Sequence, residues 1–362
     1  LGIETHTNSL IRFINGTNTP ITVGIQGEWG SGKTSLINKI HYHFDQPDQE
    51  RIKQIWINSW EYSLLSTPEE ALLKIVNRII DELIGANPTY ARVDKIKSGA
   101  KKSQIKDKEK KYKLIVCYDS ITKLVSIKKT FSSKMMFNDK YPYRSSMSKT
   151  MKKSFKILSN KIKKKYKPKK ILEIGSNDGS FLENFNKDRT IGIEPCANVE
   201  KITKKLKFNT IPDYWGINLA KKILNKFDKV DLIYSANTIS HIKNLDEVFK
   251  SINLVLSNEG VLIIEDPSLL ECLKRNTYDQ FYNEHIYVFS YIALENILKK
   301  HKLKIFRIEN LDINGGSNRY FIKKSYSNRK IEKSVKKQKK KEIFYGLNKK
   351  ITFIKFSKRV QK

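Results

Sequence analysis

The sequence predicts an α/β protein, a doubly wound parallel-sheet domain preceded by a partial phosphate-loop α/β unit. Three observations predict it. Short apolar runs alternate with helical stretches beyond residue 166, as strands covered on both faces do. A glycine turn closes the first of these runs. A second glycine-rich loop, ending in Lys-Thr, stands between an apolar run and a helix near the N-terminus.

Along the chain, residues 20–26 (PITVGIQ) read as a strand, and a helix opens near Lys33. Residues 54–59 (QIWINS) read as a second strand. Residues 69–84 read as an amphipathic helix with Leu72, Leu73, Val76, Ile79, Ile80 and Leu83 on one face. Residues 98–113 (SGAKKSQIKDKEKKYK) are polar and lack an apolar period, as a linker or seam does. From residue 114 a lead-in segment ends in a lysine-rich helix over 151–166. Strands follow at 170–174, 190–194, 231–235 and 260–265, with helices between them. The expected domains are a phosphate-loop unit (1–98), a linker or fusion seam (99–113), a helical lead-in (114–165), a ligand-binding α/β domain (166–325) and a basic terminal segment (326–362) that frays.

The chain has 362 residues, 39% of them hydrophobic and 10% aromatic, enough to build cores. No stretch approaches the ~20 apolar residues of a membrane span, so no membrane partner is expected. The net charge of +33 invites nucleic acid. The excess is mostly lysine, spread evenly along the chain, and no RNP, zinc-finger or basic-zipper pattern accompanies it, so nucleic acid is not the expected partner. Cys117, Cys196 and Cys272 are too widely spaced for a disulfide framework or a zinc quartet. A reducing cytoplasm is the expected location. The chain opens on Leu1, as a fragment would.

The first loop, Gly27-Glu-Trp-Gly30-Ser-Gly32-Lys33-Thr34, fits G-x-x-x-x-G-K-[ST]. Its glycines would let backbone N–H groups converge on phosphate oxygens at a helix N-terminus. Lys33 would reach the outer phosphates and Thr34 would hold magnesium, so ATP with magnesium is the expected ligand. GEWGSGKTSLINKI followed by WINSWEYS resembles the KAP family of P-loop NTPases over about residues 1–95, with Trp60 and Glu61 on its post-strand motif. No apolar strand ending in Asp follows, so nucleotide turnover is not expected.

The second turn, Ile171-Leu-Glu173-Ile-Gly175-Ser-Asn177-Asp178-Gly179, lacks the third glycine of the dinucleotide fingerprint and carries Glu173 and Asp178. Such acidity repels a pyrophosphate and suits a ligand bearing a sulfonium and an ammonium, namely S-adenosylmethionine. Glu194, 19 residues beyond Gly175, ends the next strand where a carboxylate can accept ribose hydroxyls. NAD and a purely structural turn are the alternatives. Asn237, just past a later strand end, is a further cofactor contact, and His241 stands beside it.

The strings LEIGSNDGSFL, GIEPCANV, DLIYSANTISHIKNLDEVF, IEDPSLL, YDQFYNEHIYVFS and GGSNRYFIKK occur in order. Together they resemble the nucleotide-sugar C-methyltransferases over about residues 114–350, and KYPYRSSMSKTM is similar to their lead-in. The resemblance implies a Rossmann-like methyltransferase sheet. It also implies methyl transfer to C3 of a dTDP-linked 4-keto-6-deoxyhexose through an enolate. That chemistry needs a base, a donor for the enolate oxygen and an in-line methyl sulfonium. Tyr282-Asn283-Glu284-His285 carries such groups: His285 as base near neutral pH, Glu284 to orient or polarise, Tyr282 to donate. The family reads His where Asn283 stands. Tyr141 and Tyr143 line the sugar pocket or simply pack. Gly315-Gly316-Ser317 forms a tight turn.

Members of that family open on a zinc domain of paired cysteines. Only Cys117 remains here, with Ser120 where the last ligand would fall, so zinc is not expected. The chain reads as half a KAP domain joined to a methyltransferase lacking both ends, a natural fusion or a joining of two reading frames. A phosphate-loop ATP binder without methyl transfer, and a basic nucleic-acid-binding protein, remain the alternative functions. The oligomeric state is open.

Overall fold

The computed structural model describes residues 3–17, 23–26, 32–46, a few positions between 52 and 79, and 114–360 apart from 279 and 314. Two units are distinguished, residues 1–22 with 36–113, and residues 23–35 with 114–362.

In the N-terminal region the helix Ile3–Gly16 and the expected helix at Lys33, Lys33–Phe44, are formed. Residues 23–26 carry no strand, contrary to the reading of 20–26; an apolar run of this length makes a strand only where a neighbour completes its ladder. Gln54 and Ile55 likewise carry no strand, while Ile75, Val76 and Ile79 are helical. The rest of both predicted elements, with Trp60, Glu61 and the seam at 99–113, lies outside the described residues.

The second unit is built on a seven-stranded sheet of order β5-β4-β3-β6-β7-β10-β9. Its strands are β3 (Ile171–Ile174), β4 (Thr190–Ile193), β5 (Thr210–Ile211), β6 (Val230–Ala236), β7 (Leu256–Pro267), β9 (Leu303–Leu311) and β10 (Ser317–Lys324). The five strands from β5 to β7 run parallel; β3, β4, β6 and β7 are the four expected, and the two-residue β5 is an addition at the edge. The doubly wound reading needs one correction: β10 pairs antiparallel with both β7 and β9, so the sheet is mixed. Gly315 and Gly316, at φ +75° and +107°, close the β9–β10 hairpin as the tight turn expected there. A small antiparallel sheet, β1 (Val116–Tyr118), β2 (Val125–Ile127) and β8 (Tyr287–Val288), occupies part of the lead-in expected to be helical.

Successive side chains of a strand face opposite sides, and the two cores follow that alternation. Ile171, Leu232, Tyr234, Val261, Ile263 and Phe321 point to one face. There the helix Lys149–Lys165 lays down Met151, Phe155, Leu158 and Ile162, at the i, i+3, i+4 spacing of an apolar stripe. Its lysines fall on the other side, and Ser148 caps its start by accepting from Met151 N at 3.2 Å. Leu172, Ile233, Leu262, Ile264, Tyr320 and Ile322 point to the opposite face, under the helices Ile217–Phe227, Leu245–Val255 and Tyr291–Lys300.

The basic C-terminal segment is folded, against the expectation of fraying. It forms the helices Lys333–Phe344 and Lys350–Val360, which bury Val335 and Phe356. Fully buried Glu342 accepts from Tyr291 N at 2.8 Å and Ile292 N at 3.0 Å, capping the helix Tyr291–Lys300 from outside. Glu342→Ala leaves both N–H groups buried without an acceptor, and an expected loss of about 2–4 kcal/mol follows. Urea unfolding checks it, with Glu342→Gln losing less than half as much.

Candidate functional site

The site is assembled at the carboxyl ends of the parallel strands. β3 runs into Gly175, whose N–H and that of Ser176 both donate to Ile193 O on β4, at 2.9 and 3.0 Å. Gly175 sits at φ +73°, and a Cβ there would overlap the Thr238 side chain, so only glycine fits. Asn177 and Gly179 also take positive φ, which turns the loop's N–H groups inward.

Three carboxylates meet at this bend. Glu194 Oε2 accepts from Asn177 N at 3.0 Å and Oε1 from Cys196 N at 2.9 Å. Asp178 Oδ1 accepts from Ser180 Oγ at 2.6 Å and Oδ2 from Ser146 N at 3.0 Å. Glu173 is buried and its Oε2 has no hydrogen-bond partner. Burial lifts the Glu173 carboxyl well above the usual range, and the charges of Asp178 and Glu194 add to it. Burial lifts Glu194 as well, opposed by its two N–H donors and by the Arg144 guanidinium.

A strap, residues 137–146, crosses the bend. Ser145 N donates to Asn177 Oδ1 at 2.9 Å, and Asn177 Nδ2 to Tyr143 O at 3.2 Å. Asn198 Nδ2 donates to Tyr141 O at 2.9 Å. At the near end Tyr214 Oη donates to Phe137 O at 2.8 Å, and the Phe137 ring lies parallel to His241 at 5.5 Å.

Beyond the strap lies the Tyr282–His285 segment. His285 Nδ1 stands 2.9 Å from Gln280 O, and a carbonyl only accepts, so Nδ1 carries the hydrogen. Nε2 is therefore the acceptor for the Tyr282 hydroxyl at 3.0 Å. Burial pushes the His285 ring down to about 4, against the Gln280 contact. The histidine expected to titrate near neutrality is thus neutral, and burial instead brings Glu284 up to about 7. His241, 5.0 Å from the His285 ring, is held well below its usual range by burial and by His285. Asn283 is exposed.

Tyr141 packs its ring against Phe137 at 5.4 Å. Its phenol is raised well above its usual range, first by burial, then by Glu284, Tyr282, Cys196 and Glu194. Tyr143 is raised by burial against a hydrogen bond with Ser145. Asn237, at φ +49°, donates its N–H to Glu265 O at 2.8 Å and leaves Oδ1 buried and unpartnered. So Glu173, Asp178 and Glu194 gather at one bend, and Tyr282, Glu284 and His285 lie on one turn. Sequence reading missed Arg144, Asn198, Ser240 and Asp266. Asp266, at the end of β7, is 1% exposed; Oδ1 accepts from Ser240 Oγ at 2.6 Å, Oδ2 has no partner, and burial pushes the carboxyl to about 8. Only the register of β7 beside β6 could have found it.

Of the phosphate loop, Gly32 (φ +90°), Lys33 and Thr34 open the helix Lys33–Phe44. Gly27 and Gly30 lie outside the described residues. Among the described residues, no cluster of three or more His, Cys, Asp or Glu is placed to hold a metal, and no helix is long and apolar enough to cross a membrane.

Residues 143–307 match the family model described as a methyltransferase domain. This stretch is a methyltransferase domain. Over 149 residues the chain is 29% identical to the C-methyltransferase NovU of Streptomyces niveus, a match taking in 41% of this chain and 36% of that protein. The chain thus spans about a third of the curated relative it matches. Among solved structures, similarity is found to the plantazolicin methyltransferase BpumL in complex with SAH, at 16% identity and a TM-score of 0.37, covering 47% of this chain and 82% of that one. An S-adenosylmethionine-dependent methyltransferase from Clostridium acetobutylicum ATCC 824 is similar at 15% identity and a TM-score of 0.37, covering 49% and 93%. In the methyltransferase domain the bend, the strap from Tyr143 onward and the Tyr282–His285 segment all fall inside the matched residues.

Asp266 carries a pH signature. Its folded value lies above the unfolded one, so its contribution to stability is complete below about pH 4 and is lost as pH rises through about 8. Asp266→Asn removes that decline. Between pH 5 and 8 the variant should gain on the parent by up to about 1.4 kcal/mol per pH unit, read by urea unfolding at three pH values.

Proposed function

We propose that the protein is an S-adenosylmethionine-dependent C-methyltransferase acting beside the ketone of a dTDP-linked 4-keto-6-deoxy sugar. The observation that carries this reading is the gathering of Glu173, Asp178 and Glu194 at one bend, with Glu173 Oε2 buried and unpartnered, in the same unit as a Tyr-Glu-His turn. The donor set fits the cofactor: Glu173 Oε2 and Asn237 Oδ1 are buried without partners, and the bend gathers three carboxyl groups, where a sulfonium and an ammonium would need counter-charge. Glu194 would accept the ribose hydroxyls, with Asp178, Glu173 and Asn237 around the amino-acid end. When bound, the cofactor supplies an electrophilic methyl group.

The remaining steps belong to this chain. Glu284 titrates near pH 7 and so is matched to removing a proton beside a ketone. His285 stays neutral and, through Nε2, holds the Tyr282 hydroxyl in place. Burial keeps the Tyr141 phenol protonated throughout the working range, as a donor to a developing enolate oxygen must be. The sugar nucleotide is supported by the motif strings and by the kind of relative matched.

Calorimetry with S-adenosylmethionine tests the donor site: the parent should bind, and Asp178→Ala with Glu194→Ala should weaken binding at least about tenfold, each lost charge-assisted contact costing about 1.5 kcal/mol or more. Unchanged affinity in the double variant sinks the assignment. Transfer of labelled methyl to a dTDP-4-keto-6-deoxyhexose should rise with pH through about 7. Glu284→Gln should lower the rate by about a hundredfold and flatten that rise.

A further inference from the structure

Resting on the proposed reaction, the position of Tyr141 becomes a question of what holds it. The strap's internal bonds shape it without anchoring it. Arg144 Nη1 donates to Tyr141 O and Tyr143 O, both at 2.7 Å, across one to three residues of the same strap. Asn177 and Asp178 anchor the far end at Tyr143, Ser145 and Ser146, and Tyr214 anchors the near end at Phe137. Between those points, the bond from Asn198 Nδ2 to Tyr141 O at 2.9 Å ties Tyr141 to the sheet domain. Asn198 stands in the first turn of the helix Ala197–Lys205, four residues after Glu194, so it is fixed by the same strand end that carries the ribose-side carboxylate. Its other amide atom, Oδ1, is buried without a partner, so the side chain is not held there by a competing bond.

We propose that Asn198 is a positioning residue, whose amide holds the Tyr141 backbone, and with it the phenol, in its place on the strap. A carbonyl oxygen accepts two hydrogen bonds, and here one comes from the strap and one from the donor-side helix. Removing the second leaves the strap's shape and frees its place. A displacement of about 1 Å at such a group can cost up to a hundredfold in rate while ligand affinity survives.

Two variants of the full-length chain test this: Asn198→Ala, which removes the donor, and the near-isosteric Asn198→Asp, which keeps the volume and loses the N–H. Both should lower the maximal rate of methyl transfer by about ten- to a hundredfold, with calorimetric affinity for S-adenosylmethionine within about threefold of the parent. In both, amide hydrogen exchange over residues 138–146 should quicken while the sheet strands exchange as before. An unchanged rate in Asn198→Ala, parent-like behaviour of Asn198→Asp, or unaltered exchange over the strap overturns the assignment. If the parent itself transfers no methyl to the keto sugar, the proposed reaction fails, and strap exchange alone decides whether Asn198 holds Tyr141.

Discussion

Burying a carboxylate away from water and from cations costs several kcal/mol unless hydrogen bonds replace its hydration. This molecule buries three around one backbone bend, inside a chain of net charge +33. The local architecture follows from that cost. Glu194 is satisfied only because the loop after β3 turns through positive φ and brings Asn177 N to it, and because the next helix begins at Cys196. Asp178 is satisfied only because the strap lies against the loop and offers Ser146 N. Glu173 Oε2 is left without either. A ligand carrying positive charge beside Glu173 would favour its ionised form.

On the opposite side of the site the constraint is removal of water. The Tyr282–His285 turn is backed by the C-terminal helix, whose Phe356 ring lies 6.3 Å from Phe281. The Phe137 ring covers His241 from the strap. Dehydration holds both histidines neutral and raises Glu284, so their protonation differs from that of free side chains. The same sheet carries a second buried charge system. Arg319 on β10 reaches Glu265 at 2.7 Å and Glu309 at 2.9 Å, locking the antiparallel strands beneath the helix Lys149–Lys165. There each carboxylate meets a guanidinium at ion-pair distance, while at the bend Glu194 and Asp178 rest on N–H and O–H donors.

Much of the fold was legible because periodicity reports burial. The runs at 170–174, 190–194, 231–235 and 260–265 are strands close to the expected bounds, since strands buried on both faces must be apolar throughout. β9 and β10 escaped notice because they carry Arg307, Glu309, Arg319 and lysines among their apolar residues, and polar strands look like surface until their partners are known. The C-terminal helices escaped for a related reason: their lysines dominate the composition, while a few residues such as Val335, Glu342 and Phe356 do the docking.

What the sequence determined by itself was the residue types at the bend and at the Tyr282–His285 turn, because glycines at fixed offsets and acidic residues beside them are local facts. Protonation was decided only by the tertiary structure. Whether His285 or Glu284 titrates near neutrality depends on desolvation, and desolvation is set by Phe137, Tyr141 and the helices packed around the site, all distant in sequence. The place of Tyr141 was decided in the same way, by Asn198, nearly sixty residues away in the chain and hydrogen-bonded to its carbonyl only once the strap is laid across the bend.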